Sequence, residues 1–375
     1  MGRLTEPTEY NATMPRLKLA VIGVGALGRH HARILSENPE VELVAVVESR
    51  EAQGQEIAAK CGTKWLSDYQ ELLSRDVVDA VSVVVPTVAH LNVAGAFLHA
   101  GIPVLVEKPL AANVAQARAL VDLAAQNDLL LQVGHIERFN PAFQAASSRI
   151  RQPKYIRAER TSAYTFRSTD IGVVHDLMIH DIDLVLSLVQ SSLASVEAFG
   201  VTVMGGHEDT VQARLRFANG CIADLTASRI SPTVSRSLQA WCASGCVTCD
   251  MHTREVRHYS PSDRLRMGPS PLDLARQPGA DIEQLKKDVF GKFVEVDTVP
   301  VDASGPDALT CELGEFVECV KTGRAPHVDG EQGLAAMMVA DEVLKNVALH
   351  QWEGRADGAV GPNPGRSAEI RRDAA

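Results

Sequence analysis

The chain has 375 residues, 45% apolar and 22% charged, with a formal net charge of −10, a balance that excludes a disordered or fibrous chain and leaves room for about two ordinary domains. No block rich in lysine or arginine is present, which argues against nucleic acid or an anionic membrane as the main partner. The N-terminal stretch lacks an apolar signal-like core and no later apolar run is long enough to span a bilayer, so a cytoplasmic protein is expected.

Residues 1–15 read as a flexible tail, with Pro7 and Pro15 and no periodicity. Lys18–Val24 then reads as a strand and Gly23-Val24-Gly25-Ala26-Leu27-Gly28 as a G-x-G-x-x-G turn, followed by a helix over Arg29–Ser36 and a second strand over Val41–Val47 that ends at Glu48. Each glycine has a physical use: a tight turn, close approach of backbone to a pyrophosphate, and packing of helix on strand. The helix N-terminus adds free N–H groups and a favourable dipole for phosphate. A ligand-free glycine turn is the alternative, but the strand before it, the helix after it and the acid beyond point to dinucleotide binding. Glu48 is placed to accept hydrogen bonds from a ribose and repels a 2′-phosphate, which favours NAD over NADP, while neighbouring Arg50 pulls the other way.

Glu51–Lys60 reads as a helix, Trp65 as the end of a short strand, and Asp68–Ser74 as a short helix. Val77–Val85 is nearly continuous in β-branched residues, as a strand buried on both faces requires. A helix over His90–Ala100, stopped by Gly101, leads to a strand over Pro103–Val106 and the triplet Glu107-Lys108-Pro109. An alanine-rich helix over Asn113–Gln126 and a sixth strand over Leu129–Val133 complete an alternation that predicts a doubly wound parallel sheet, a Rossmann domain over residues 16–138. The residues expected to line the cofactor are Gly23, Gly25, Ala26, Leu27, Gly28, Glu48, Ser49 and Arg50, then Pro86, Thr87, His90, Glu107, Lys108 and His135 at later strand ends.

The pattern changes after Arg138. A helix over Pro141–Ile150 precedes strands over Tyr155–Tyr164, Ser195–Met204, Asp209–Phe217, Cys221–Ser228, Leu238–Ala243 and Cys246–Met251, with helices over Val174–Leu188, Ala308–Thr322 and Glu331–His350. Residues 139–352 are therefore expected to form an α+β domain with a large, mostly antiparallel sheet. Ser260–Ala280 reads as a long excursion and residues 353–375 as a disordered tail. Seven scattered cysteines point to reduced thiols. Cys242, Cys246, Cys249 and His252 could be drawn as zinc ligands, but a hairpin about Ser244-Gly245, with the cysteines as small apolar residues, is the simpler reading and no metal is expected.

Two constellations carry chemistry. Lys108, at a strand end facing the crevice, can stabilise or share a proton with a developing alkoxide; a merely solvated lysine is the alternative. On the helix over Val174–Leu188, Asp176, His180 and Asp183 share a face opposite Leu177, Leu184 and Leu188. His180 is suited to accept a proton near neutrality with Asp176 orienting it, although such stripes are also found simply wet on surfaces.

The glycine turn, the Glu107-Lys108-Pro109 triplet and the D-x-x-x-H of Asp176 and His180, in this order, resemble the glucose-fructose oxidoreductase / inositol dehydrogenase / MocA family. The resemblance implies an NAD(P)-dependent sugar or cyclitol oxidoreductase, with Lys108 as catalytic lysine, Asp176 as orienting acid and His180 as general base. It also implies a lysine-proline peptide that is often cis, and a C-terminal sheet that serves as the interface of a dimer or tetramer. Ile171-Gly172-Val173-Val174-His175 departs from the family's glycine-rich approach, so contacts from that loop do not carry over. Val133–Pro141 and Asp176–Leu184 further resemble the nucleotide-sugar 3-dehydrogenases, which oxidise the C3 hydroxyl of UDP-N-acetylglucosamine before an aminotransferase acts, in lipid A synthesis. Substrate contacts are then expected from Lys108, Glu137, Arg138, Arg160, Tyr164, Arg167, His175 and His180; Arg138, Arg160, Tyr164 and Arg167 could meet a diphosphate or be ordinary surface residues.

Overall fold

The computed structural model describes residues 16–166, 171–204, 206–302, 304–350 and 352; the two expected tails and the candidate Arg167 lie outside these. The first unit runs β1 Leu17–Ile22, α1 Gly28–Glu37, β2 Val41–Val47, α2 Glu51–Cys61, β3 Lys64–Leu66, β4 Ala80–Val83, α3 His90–His99, β5 Val104–Glu107, α4 Val114–Gln126 and β6 Leu131–Gly134. Its six strands are parallel in the order β3-β2-β1-β4-β5-β6. Every residue of β4, β5 and β6 is buried, the reason those strands read as unbroken apolar runs: helices cover both faces. The order reverses between β1 and β4, so their carboxyl ends diverge and open the crevice in which such sheets bind ligands.

The chain continues through α5 Pro141–Ser147 and β7 Tyr155–Thr161 to α6 Ile179–Val189, then β8 Leu193–Val201, β9 Thr210–Phe217, β10 Ile222–Ser228, β11 Ser235–Cys242, β12 Gly245–Asp250 and β13 Glu255–Pro261. Three short helices follow, α7 Asp263–Met267, α8 Pro271–Ala275 and α9 Ile282–Asp288, before β14 Val294–Thr298, α10 Ala308–Thr322 and α11 Gly330–Leu349. The eight strands order as β14-β13-β12-β11-β7-β10-β9-β8, antiparallel except for β7 beside β10. Residues of β9 and β10 alternate buried and open, as a sheet with helices on one face and a free face on the other requires.

Three expectations change. Ser260–Ala280 is not a structureless excursion, since it closes β13 and carries α7 and α8. The pair β13 and β14 extends the sheet where no strand was expected. The last helices do not all serve the second sheet: Leu313, Phe316 and Val317 of α10 share a core with Leu19, Val21 and Leu35 of the first unit. The Cys242–Gly245 hairpin forms as expected, and Cys246 and Cys249, both buried, stand three apart on one strand and so point to opposite faces.

Candidate active site

The glycine turn is built as its sequence requires. Gly23 has φ +88°, where L side chains are strained, and a Cβ there would stand 2.6 Å from the Val84 carbonyl oxygen. A Cβ on Gly28 would collide with the Gly23 carbonyl. Above Gly25 the space is open, a Cβ meeting only Arg50 at 4.0 Å, and α1 begins at Leu27 without a side-chain cap or an acid in its first turn. Unmet N–H groups at an open helix start form a cradle for a pyrophosphate. Glu48, 8% exposed, lies against this turn and accepts from Val24 N–H at 3.3 Å, from Arg50 N–H and Nε at 3.2 Å each, and from Ser49 Oγ at 3.4 Å. Burial opposes its charge, and the hydrogen bonds and charge of Arg50 outweigh burial, holding the carboxyl below its usual range. An ionised acid is thereby fixed beside the cradle, so the residues present fit NAD. Pro86 and Thr87 continue from the segment that touches Gly23.

The chemistry-bearing residues meet across the two units. β5 ends in Glu107, followed by a cis Lys108–Pro109 peptide. Lys108 Nζ donates to the main-chain oxygen of Asp176 at 2.7 Å and lies 3.8 Å from Asp176 Oδ1. Asp176 belongs to a π turn, Val174–Met178, that runs into α6. Glu208 anchors the turn's start, its main-chain oxygen accepting from Val173 N–H at 3.0 Å and its Oε1 from Val174 N–H at 3.1 Å. His180 follows Asp176 by one turn, and its Nδ1 is buried without a hydrogen-bond partner among the described residues. Burial, and then the positive charges of Lys108 and Arg160, push the His180 pKa well below 6.5. Burial also lowers Lys108 from 10.5, with Asp176 and Glu107 partly offsetting it. Together they form a neutral imidazole, an ammonium and a carboxylate in a shielded crevice, a set able to receive a proton from a hydroxyl and steady the oxygen left behind.

Several other candidates have internal work instead of the expected ligand contacts. His90, 1% exposed, sets Nδ1 3.0 Å from the Pro109 carbonyl and Nε2 3.0 Å from that of Val85, clamping the end of β4 to the lysine-proline turn. Glu107 turns inward: Oε1 lies 3.1 Å from His31 Nε2, whose Nδ1 is 2.9 Å from Ser82 Oγ. Arg138 is buried and donates twice to Asp183, at 2.7 and 3.0 Å. Arg160 is buried too and donates to Asp181 at 2.8 Å and to Glu137 at 2.6 Å. The low dielectric that makes an unpaired guanidinium costly explains both pairings, so neither arginine is a free phosphate ligand and Glu137 is no free acceptor. Asp183 is therefore buried and paired rather than part of a wet stripe. Tyr164 is half-buried under the Arg229 guanidinium, 5.2 Å above its ring. His175 is half-buried, and burial lowers its pKa with Asp341 opposing. His135 is 1% exposed, beside Asp183 at 4.0 Å, with both ring nitrogens unpartnered among the described residues.

Residues 17–135 match the oxidoreductase family with an NAD-binding Rossmann fold named for glucose-fructose oxidoreductase, inositol dehydrogenase and MocA, and residues 142–248 match that family's C-terminal domain. A UDP-N-acetylglucosamine 3-dehydrogenase from Acidithiobacillus ferrooxidans is 30% identical over 331 residues, 88% of this chain and 97% of that one. The chain belongs to the Gfo/Idh/MocA family. A solved structure of the Acidithiobacillus enzyme superposes with a TM-score of 0.76, covering 89% of this chain and 98% of that one. Another family member, an inositol 2-dehydrogenase from Rhizobium meliloti, is 23% identical over 88% of this chain and 97% of its own. A levoglucosan dehydrogenase in complex with NADH, 18% identical, shares the fold at a TM-score of 0.75, covering 89% of this chain and 97% of its own. As a member of this Gfo/Idh/MocA family the chain is an NAD-dependent oxidoreductase.

Sequence reasoning missed several polar residues that the fold brings to Glu107, Arg160 and His180. Arg236 belongs to β11, and its register partner across the strand pair is Arg160; the expected strand began two residues later, at Leu238. The signal was available, because Arg236 continues the alternation of buried Leu238 and Ala240. Asp181, beside His180, and His31 on α1 are polar residues buried in apolar runs whose partners lie far away in sequence, which no local pattern reveals. No helix among the described residues is long and apolar enough to cross a membrane, and no described group of three or more His, Cys, Asp or Glu is arranged to hold a metal ion.

Proposed function

We propose that this chain oxidises the 3-hydroxyl of UDP-N-acetylglucosamine to the 3-keto sugar, in the cytoplasm, ahead of an aminotransferase that consumes the ketone in lipid A precursor synthesis. The observation that carries the reading is the convergence of Lys108, Asp176 and His180, on a chain that aligns nearly end to end with an enzyme named for that substrate. NAD, when bound, supplies the hydride acceptor. His180, neutral and one turn beyond Asp176, takes the hydroxyl proton as hydride leaves the carbon that bears the hydroxyl, so one proton and one hydride depart along separate routes. Lys108 steadies the negative charge that grows on the oxygen during this transfer. Asp176 holds the lysine through its main-chain oxygen and balances its charge. Glu107 and His31 pair at the end of β5, and Glu48 takes the ribose hydroxyls.

Purified protein supplied with NAD and UDP-N-acetylglucosamine is expected to raise absorbance at the NADH band, with a larger yield when glutamate and a partner aminotransferase remove the ketone. NADH formed from myo-inositol and none from UDP-N-acetylglucosamine would replace this reading with a cyclitol dehydrogenase. The inositol 2-dehydrogenase among the relatives makes that control necessary.

A further inference from the structure

Two arginines besides Lys108 stand within electrostatic reach of His180, Arg160 and Arg236. Arg160 is fully engaged, held by Asp181 and Glu137. Arg236 differs. Its side chain is 50% exposed, its guanidinium makes no hydrogen bond to the described residues, and the nearest carboxylate oxygen, Glu137 Oε1 at 3.9 Å, already accepts from Arg160 at 2.6 Å. Antiparallel register partners point to the same side of a sheet. Arg236 therefore projects with Arg160 from the helix-covered face, the face against which Asp181 and His180 are packed. Its charge is also among those that hold down the His180 pKa, which places it within electrostatic reach of the imidazole.

We infer that Arg236 is the site's anion anchor, its fork of N–H donors receiving the diphosphate oxygens of a nucleoside diphosphate sugar whose hydroxyl lies at His180. The inference rests on the nucleotide-sugar reading above and adds to it the residue that selects for the diphosphate. Guanidinium geometry suits phosphate oxygens in a way ammonium does not, and a half-exposed group costs little to desolvate. The competing role is structural, in which Arg236 does no more than balance Glu137. That role needs the charge but no ligand.

The two roles separate in binding measurements on the NAD-loaded protein, with uridine 5′-diphosphate as probe and calorimetry as readout. Arg236→Gln is expected to weaken UDP at least tenfold and to raise KM for UDP-N-acetylglucosamine to match, while NAD affinity stays within twofold and the melting temperature is nearly unchanged. Arg236→Lys, which keeps the charge and loses the fork, is expected to weaken UDP at least threefold and guards against a Gln variant that fails to fold. Equal UDP affinity in wild type and both variants would overturn the anchor and leave the nucleotide-sugar reading standing. A parallel loss of NAD and UDP binding, or a large drop in melting temperature, would assign Arg236 to the fold and also overturn the anchor. Wild-type protein that does not bind UDP at all would remove both.

Discussion

His180 and Lys108 both titrate below their ordinary values, and the directions predict the pH profile. His180 must be neutral to accept a proton, and burial with nearby positive charge keeps it neutral until the pH falls well below 6.5. Lys108 must be protonated to steady the oxyanion, and burial moves its loss of charge below 10.5. For the oxidation, kcat/KM should therefore rise through an acid limb centred below 6.5, hold a plateau, and fall through an alkaline limb centred below 10.5. His180→Asn should lose about 100-fold or more in rate together with the acid limb. Lys108→Met should lose about 100- to 1,000-fold and the alkaline limb. A stopped-flow or steady-state profile in which either variant keeps both limbs would separate that residue from the chemistry. The three residues proposed to react stand out in sequence because each sits at a fixed station: a strand end, or one turn apart on a helix. Arg138 and Arg160 were legible only as charges. Their partners Asp183 and Asp181 follow His180 by three residues and one on α6, yet which arginine meets which aspartate is decided by packing of α6 against β7 and the turn before α5, both distant in sequence.

At the scale of elements, α10 joins the two units. Its Leu313, Phe316 and Val317 fill the core beneath β1, and beside them Glu312 is wholly buried with both carboxylate oxygens unpartnered among the described residues. Burial first, and then the negative charges of Glu107, Glu315 and Asp183, raise its pKa well above 4.5. A carboxyl that binds its proton more tightly when folded contributes stability that is full below 4.5 and is lost as pH rises through the folded value. Melting temperatures taken across this range should therefore decline with pH in wild type, and Glu312→Gln should flatten that decline while leaving the low-pH value nearly unchanged. An unaltered slope would acquit Glu312. The helix itself was plain from its periodicity, but its destination was not, because an apolar stripe says that a face is covered and is silent on what covers it. β13 and β14 were hidden otherwise. Arg257-His258 breaks the alternation of β13, and Val294-Glu295-Val296-Asp297 alternates over only four residues and buries none of its side chains fully.

Among the described residues, none covers the second face of the large sheet. Helices pack on the face lined by Leu225, Leu238 and Ala240, so the alternate residues point away from the chain. Across neighbouring strands Trp241, Cys246, Tyr259 and Val296 fall in register on that outer face, Trp241 48% exposed and Val296 42% exposed. Arg214 and Asp224, paired at 2.7 and 2.8 Å, stand elsewhere on it. Eight strands at about 4.8 Å spacing and about 3.3 Å per residue give a face on the order of 800 Å², which matches the roughly 800 Å² each partner contributes to a standard stable interface. A lone tryptophan on a surface needs no explanation, but one inside an apolar row on an interface-sized face does. We expect the protein to be a dimer or tetramer that pairs through this sheet. Sedimentation at micromolar concentration should give a multiple of the chain mass, and Trp241→Arg, which sets a charge against its own symmetry mate, should reduce it to the monomer. NADH production per chain in that variant then distinguishes an interface that only assembles the enzyme from one that completes its site: the crevice lies on the opposite, helix-covered face, so activity per chain should survive dissociation. A wild-type monomer at that concentration, or a variant of unchanged mass, would move the interface off the sheet.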